Sequence, residues 1–258
     1  MEKLYDRADI YDLLENDPTR YSITKKHWET ILAGKSIKTL LDVSIGSGNL
    51  TLPLLDLGIA LSGSDLSENM LQKCREKAAA KSGTIDLRVS DFRELTKAFS
   101  QQFDCVASTG NSLPYVTNSE ISDVLAQMDA LVRPGGYLYF DLRNWDRILR
   151  TRQRFYLYNP VFHGDTRVNL VQAWDYNSDG TMDFNLLFTF EKENRIIQKE
   201  IFQEHYHPVS QKLLLDKLSE MGYASPEVYC MPAQAGAFDG EKHDWYAVIA
   251  RKPGGGAP

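Results

Sequence analysis

The chain has 258 residues, of which 43% are hydrophobic and 25% charged, with a formal net charge of -6 and a pI near 5.4. That composition suits a globular protein with a sizeable core; the acidic balance offers nucleic acid no electrostatic footprint, and no apolar stretch approaches the length of a membrane span. No charged-then-apolar leader opens the chain, and Cys74, Cys105 and Cys230 are odd in number and without C-x-x-C spacing, so we expect reduced thiols in a cytoplasmic protein acting on a small soluble molecule.

Residues 6–34 read as helical with an interruption at Pro18, and residues 38–43 as an apolar strand. Alternation follows: helix 50–57, strand 59–64, helix 67–81, strand 84–89, strand 103–108, helix 119–132, a turn at Arg133-Pro134-Gly135-Gly136, and strand 137–142. This spacing predicts an α/β fold, a doubly wound, mostly parallel seven-stranded sheet of Rossmann-like type with helices on both faces. After Asn144 the pattern changes. Residues 155–206 hold strand-like segments with turn signals at 177–180 and 193–194 and no amphipathic helix, which predicts an antiparallel β lid inserted after the fifth strand. Helix 210–221 and strands 227–231 and 244–251 then return to the main sheet. We therefore expect a ligand-binding domain at 1–150 and 208–252, a lid at 151–207, and a flexible tail at 253–258.

The segment Leu40-Leu41-Asp42-Val43-Ser44-Ile45-Gly46-Ser47-Gly48-Asn49-Leu50 carries the most information, because an apolar strand ends in an acid and two glycines follow. Gly46 and Gly48 let the backbone turn and let a ligand approach closely. A pyrophosphate at this loop would be repelled by Asp42, and Thr51 occupies the third position of a dinucleotide fingerprint. A cationic ligand fits better, and S-adenosylmethionine carries both a sulfonium and an ammonium. Asp65 ends the second strand, where a carboxylate can accept from both hydroxyls of a ribose, although a helix cap for the segment starting at Ser67 would also use it. Asp91 ends the third strand and is placed to accept from an adenine amino group while Leu66 or Phe92 covers the ring; a helix cap is again the bland reading. Three acids ending three successive strands are more specific than any one.

With these residues in view, the chain resembles the class I S-adenosylmethionine-dependent methyltransferases, through Leu41–Gly48, Asp65, Ser90-Asp91-Phe92, Phe103-Asp104-Cys105-Val106 and the Arg133–Gly136 turn. Ser44 replaces the small or glycine residue usual in the loop, a mild departure, and the resemblance implies that Ser44 and Thr109 belong with the cofactor-binding residues. A closer resemblance, to the glycine and glycine/sarcosine N-methyltransferases, lies in Gly110-Asn111-Ser112-Leu113, Phe140-Asp141-Leu142-Arg143-Asn144-Trp145-Asp146 and Tyr206-His207-Pro208. It implies that Arg20 holds the methionine carboxylate of the cofactor. It further implies that Asn144 and Arg167 hold a substrate carboxylate, and that Tyr206 and Tyr5 stand near the transferred methyl.

Each implied role has a structural rival. Arg167 on an antiparallel strand could be a cross-strand partner of an acid, and Tyr206 could simply pack its ring. His205-x-His207 lacks a third ligand at fitting spacing, and Asp141, Asn144 and Asp146 lack the acid that a magnesium-dependent O-methyltransferase needs at the preceding strand end, so we expect no metal. The leading expectation is in-line methyl transfer to a small amine of glycine or sarcosine type, with a natural-product or sugar-amine methyltransferase as the alternative. A catalytically silent S-adenosylmethionine-binding module is the rival of a different class, and the lid argues against it, since a cover over the strand ends excludes water and selects a substrate.

Overall fold

The computed structural model describes residues 3–15, 18–81 and 84–254. Helices α1 (Ala8–Glu15) and α2 (Pro18–Leu32) lead into β1 (Thr39–Asp42), β2 (Ala60–Asp65), α3 (Glu68–Ala80), β3 (Asp86–Val89), α4 (Leu95–Ala98), β4 (Phe103–Ser108), α5 (Ile121–Ala130) and β5 (Val132–Arg143). Pro18 starts a helix rather than breaking one, as its fixed φ and missing N–H favour at a first turn. The main sheet has the order β3-β2-β1-β4-β5-β12-β11, where β11 (Ala224–Cys230) and β12 (Trp245–Arg251) come from the end of the chain and β12 alone runs against its neighbours. Strand order reverses between β1 and β4, so the carboxyl ends of β1, β2, β3 and β4 surround one crevice.

Side-chain alternation divides the core in two. Leu41, Val106 and Leu138 face one set of helices, while Leu40, Cys105 and Tyr139 face the other. Close approach is enforced by glycine: a Cβ on Gly63 would lie 2.5 Å from Ile45, and one on Gly48, whose φ is +84°, would lie 2.7 Å from Leu52.

Two local expectations are corrected. Residues 50–57 do not form an α-helix; a 3-10 turn spans Leu52–Leu57 and stops at Gly58. Trp28 Nε1 donates to the Leu50 carbonyl at 2.6 Å, taking the acceptor a first helical turn would need. The fifth strand starts at Val132, earlier than the turn chemistry implied, because Gly135 (φ +74°) absorbs a register shift against β4 within the strand.

After β5, α6 (Trp145–Thr151) leads to a second, wholly antiparallel sheet of β6 (Phe155–Leu157), β7 (Val161–His163), β8 (Thr166–Tyr176), β9 (Met182–Lys192) and β10 (Arg195–Tyr206). Its hairpin at Glu193-Asn194 has positive φ at both residues, as a tight two-residue turn requires. The sheet alternates cleanly. Val168, Leu170, Trp174, Phe184, Phe188 and Phe202 point inward onto Leu4, Ile10 and Trp145 and form a third core. α7 (Gln211–Glu220) then returns the chain to the main sheet, capped by the Ser210 hydroxyl accepting from Leu213 N–H. Among the described residues no helix is long and apolar enough to cross a membrane. The last residues of the expected tail, 255–258, lie outside the described residues.

Candidate active site

Two cavities meet beneath the segment that precedes α1. The first, of about 450 Å³, lies over the carboxyl ends of β1 to β4 and is lined by Ser44, Gly46, Asp65, Leu66, Phe92 and Thr109, with Tyr5 and Tyr11 over it. The second, of about 330 Å³, lies against the inner face of the lid and is lined by Arg20, His27, Asn111, Arg143, Tyr158 and Tyr206, among others. Tyr5, Tyr11, Leu50, Gly110 and Glu204 belong to both walls.

The first cavity is held in shape largely by backbone N–H groups and two acids. Asp65 accepts from Gly46 N–H through Oδ2 and from Ser67 N–H through Oδ1, each at 2.9 Å, so each oxygen keeps a lone pair for a ribose hydroxyl. Burial raises its pKa. Leu66 is 67% exposed at the rim and Phe92 is buried in the wall, which leaves an apolar slot for a planar ring. Asp42 lines neither cavity. It is fully buried, and it accepts from Ser44 N–H at 3.1 Å and from the hydroxyls of Thr51 at 3.1 Å and Thr109 at 2.8 Å. Burial pushes its pKa up to about 6. The direct ligand contact expected of Asp42 is therefore corrected to a contact made through the loop and Thr109. Gly48 likewise lines neither cavity, and its missing side chain makes room for Leu52 and Cys74.

Asp91 is also corrected. Arg93, two residues further on, folds back and clamps both of its oxygens, at 3.1 and 2.7 Å, which lowers the carboxyl pKa and removes it from the wall; Ser90, Phe92 and Arg93 line the cavity in its place. Arg20, expected to hold the methionine carboxylate of the cofactor, lines the second cavity and not the first.

Asn144 and Arg167, expected to hold a substrate carboxylate, do not line the second cavity. Asn144 caps α6, its Oδ1 accepting from Arg147 N–H at 3.1 Å, and its Nδ2 donates to the carbonyls of Gly240 and His243 at 2.8 and 2.9 Å. Every polar atom of that side chain is occupied. Arg167 points to the outer face of the lid and pairs with Glu191, with Nε at 2.8 Å, about as its structural rival foresaw.

Arg143, next to Asn144, is the group that faces the cavity. It is 6% exposed, donates to Tyr158 OH at 3.1 Å, and lies 4.7 Å from the Trp245 ring centre and 5.5 Å from those of Tyr156, Trp174 and Phe184. Among the described residues no carboxylate comes within 4.0 Å of it. Asn111, in the left-handed region at φ +62°, accepts from Arg143 N–H at 3.1 Å and from Trp145 Nε1 at 3.0 Å. The available signal was an arginine at the carboxyl end of a parallel strand, where ligands bind in this kind of sheet.

Below the shared wall runs a polar chain. Ala233 N–H donates to His27 Nδ1 at 2.9 Å, which assigns the ring proton to Nε2, 2.8 Å from Tyr139 OH. Tyr139 OH reaches Asp141 Oδ2 at 3.4 Å, and Asp141 Oδ1 accepts from Gly110 N–H at 2.7 Å. Burial pushes Asp141 up to about 7 and His27 down to about 4. Tyr5 and Tyr206, the tyrosines expected near the methyl, meet at Tyr115, whose hydroxyl is 3.0 and 2.9 Å from theirs. Tyr115 and Glu204 had no signal in the sequence reading. His205 Nδ1 bonds Asp183 at 2.7 Å on the outer face, and among the described residues no three His, Cys, Asp or Glu side chains converge as a metal site would need.

A sheet of this order with a donor-shaped crevice at its switch point defines the class I methyltransferase architecture, and comparisons agree. A methyltransferase-domain family matches residues 40–136. An uncharacterized methyltransferase of Geobacillus sp. (strain WCH70) is 30% identical over 152 residues, covering 57% of this chain and 67% of that protein. The glycine/sarcosine N-methyltransferase of Aphanothece halophytica is 25% identical over 254 residues, covering 95% of this chain and 88% of that one. Among solved structures, an S-adenosylmethionine-dependent methyltransferase from Clostridium acetobutylicum superposes with a TM-score of 0.76 at 15% identity, covering 96% and 98% of the two chains. The chain belongs to the S-adenosylmethionine-dependent methyltransferases. It is an enzyme, and S-adenosylmethionine is its methyl donor; the Asp65 oxygens, the Leu66–Phe92 slot and the 450 Å³ of the first cavity fit that molecule.

Proposed function

We propose that the enzyme, working in the cytoplasm, methylates the nitrogen of a small amine that carries a carboxylate, of glycine or sarcosine type. The observation that carries this reading is Arg143, a buried guanidinium with an aromatic surround and, among the described residues, no acid beside it. A desolvated cation of this kind is costly unless a ligand supplies the counter-charge, and a planar guanidinium matches the two oxygens of a carboxylate. The second cavity, at 330 Å³, also suits a small acceptor better than a glycosylated natural product. The similarity to a protein named for glycine and sarcosine supports the same class.

When bound, S-adenosylmethionine supplies a methyl group already activated by its sulfonium, so positioning is what the protein must add. Arg143 would anchor the acceptor carboxylate and aim its nitrogen at the shared wall of Tyr5, Gly110 and Glu204. Tyr5, on the segment over both cavities, and Tyr11, on α1, would exclude water from the line of transfer. The test is a panel of acceptors with isotopically labelled donor. Glycine, sarcosine and other short amino acids should be methylated, and their decarboxylated counterparts should react at least roughly 100-fold less well, the scale of a lost buried charge pair. Turnover of neutral amino sugars or phenols with none of amino acids would reject the reading.

A further inference from the structure

Among the described residues, Glu204 is the one carboxylate in the wall common to both cavities. It is 3% exposed and points inward from β10, and Oε1 accepts from Leu4 N–H at 3.2 Å. Oε2 lies 3.1 Å from Tyr115 OH, which is itself in contact with Tyr5 OH and Tyr206 OH. Tyr115 has one proton for these neighbours, and the charge-assisted bond to an ionised carboxylate is the strongest use of it. Tyr206, whose bond to Tyr115 can run either way, then acts as the donor, and its oxygen turns lone pairs toward the acceptor cavity it lines.

An amino acid reaches the site as an ammonium, which has no lone pair with which to attack. We propose that Glu204 is the terminal acceptor of that proton, reached through the hydroxyls of Tyr206 and Tyr115; the proposal rests on the amine reading above. The N–H bond of the ammonium breaks and its proton passes to the Tyr206 oxygen, the Tyr206 proton passes to Tyr115, and the Tyr115 proton passes to Glu204 Oε2. The electron pair stays on nitrogen and forms the bond to the methyl, while the bond between that methyl and the donor's sulfonium breaks with its electron pair left on sulfur. No oxidant or reductant is involved, and the proton held by Glu204 is the one each turnover must release to solvent.

The groups facing this carboxylate come from three elements. The segment before α1 presents Lys3, which favours the ionised form, and Tyr5 and Asp6, the latter opposing it; the turn at Leu113–Tyr115 presents Tyr115; β10 itself presents Tyr206 and, beyond Phe202, Glu200, which lies 3.9 Å from Arg7. Arg143 and Tyr158 act on the far side of Tyr206. Burial moves Glu204 toward the neutral form, which makes it a better base than an exposed glutamate.

A structural rival exists, because Glu204 also ties Leu4 to the lid. Glu204→Gln keeps an oxygen for Leu4 N–H but cannot take the proton, and Tyr115→Phe cuts the relay while leaving the carboxylate in place. Each should lower kcat on glycine or sarcosine by roughly 100-fold near pH 7, and the deficit should shrink to a few-fold near pH 9.5, where solution supplies the free amine. Calorimetric affinity for S-adenosylmethionine should stay within about twofold. Should Glu204→Gln fail to fold, Tyr115→Phe carries the same pH test. A deficit equal at all pH values, or no deficit in Tyr115→Phe, would overturn the relay while leaving the amine reading intact. A wild-type enzyme that methylates no amine would overturn both.

Discussion

The two cavities share five wall residues and are nevertheless built in different ways. The donor cavity is built at strand ends: Asp65 ends β2, Ser44, Gly46, Phe92 and Thr109 come within four residues of the ends of β1, β3 and β4, and backbone N–H groups there donate to Asp65 and Ser44. The acceptor cavity is assembled from distant pieces, with Tyr5 from the start of the chain, Arg143 from the end of β5, and Tyr158, Glu204 and Tyr206 from the lid. Backbone donors at strand ends can hold one cofactor across many relatives, whereas side chains brought together by a lid can be exchanged one at a time. On the proposed reading the donor half defines the class of enzyme, and the acceptor half defines what it methylates.

The strongest way to separate the halves is Arg143→Met, which keeps bulk and apolar packing while removing the charge. Acceptor kcat/KM should fall by roughly 10²–10³-fold, since a buried charge partner of the substrate is lost. Affinity for S-adenosylmethionine, measured by calorimetry, should change by less than about twofold. Comparable losses on both sides would mean that Arg143 braces the whole site, and the division between halves would fail.

The shared floor gives a second separation, in stability rather than binding. Asp141, beneath Gly110, is raised by burial from 3.8 to about 7, so the native state keeps a proton that the unfolded chain has lost. The stability tied to this group is fully present below about pH 4 and is lost as pH rises through about 7. Asp42, raised to about 6, acts with the same sign; His27, lowered from 6.5 to about 4, acts with the opposite sign and loses stability as pH falls across that interval. Asp141→Asn should therefore gain on wild type by roughly 2–4 kcal/mol between pH 4 and pH 8. Denaturant melts over that range, compared pairwise, isolate Asp141 from the other two groups. A difference that does not change with pH would show that Asp141 is ionised throughout.

On the donor side, Asp65→Ala should weaken S-adenosylmethionine by about 1.5–3 kcal/mol, the scale of charge-assisted hydrogen bonds, with little change in acceptor KM. An equal rise in both constants would show that Gly46 and Ser67 had moved and the loop had collapsed.

The same contrast explains how much the sequence disclosed. The parallel sheet, the lid and the loop after β1 follow from short-range patterns, period-two alternation, turn residues and an acid at a strand end, and these survive folding because each depends on neighbours in the chain. Asp91 misled because a strand-end acid looks the same whether it faces a ligand or, as here, an arginine two residues away. Residues 50–57 misled because Trp28, far back in the chain, takes the Leu50 carbonyl. Arg143 and Asn144 adjoin at the end of β5, and only the position of the 240–243 loop, which occupies the asparagine, decides which of them faces the cavity. Tyr115 and Glu204 matter through a four-group cluster drawn from three segments, and no local pattern encodes that.

Arg167 offers the smallest effect and the sharpest control. It pairs directly with Phe162 and Glu191 across strands, on the face of the lid that carries Leu157, Leu187 and Ile201 toward solvent, while the acceptor cavity touches the opposite face through Leu170, Gln172 and Leu186. Successive residues of a strand point to opposite sides, so no rotamer of Arg167 brings its guanidinium into the cavity without a one-residue slip of β8. Its side chain is 41% exposed, and an ion pair at such a position contributes between about 0 and 1 kcal/mol. Arg167→Ala should therefore leave acceptor KM and kcat within about twofold and stability within about 1 kcal/mol of wild type. A large rise in acceptor KM in this variant, with Arg143→Met near normal, would place the carboxylate anchor on the outer face and would require the lid to open onto it.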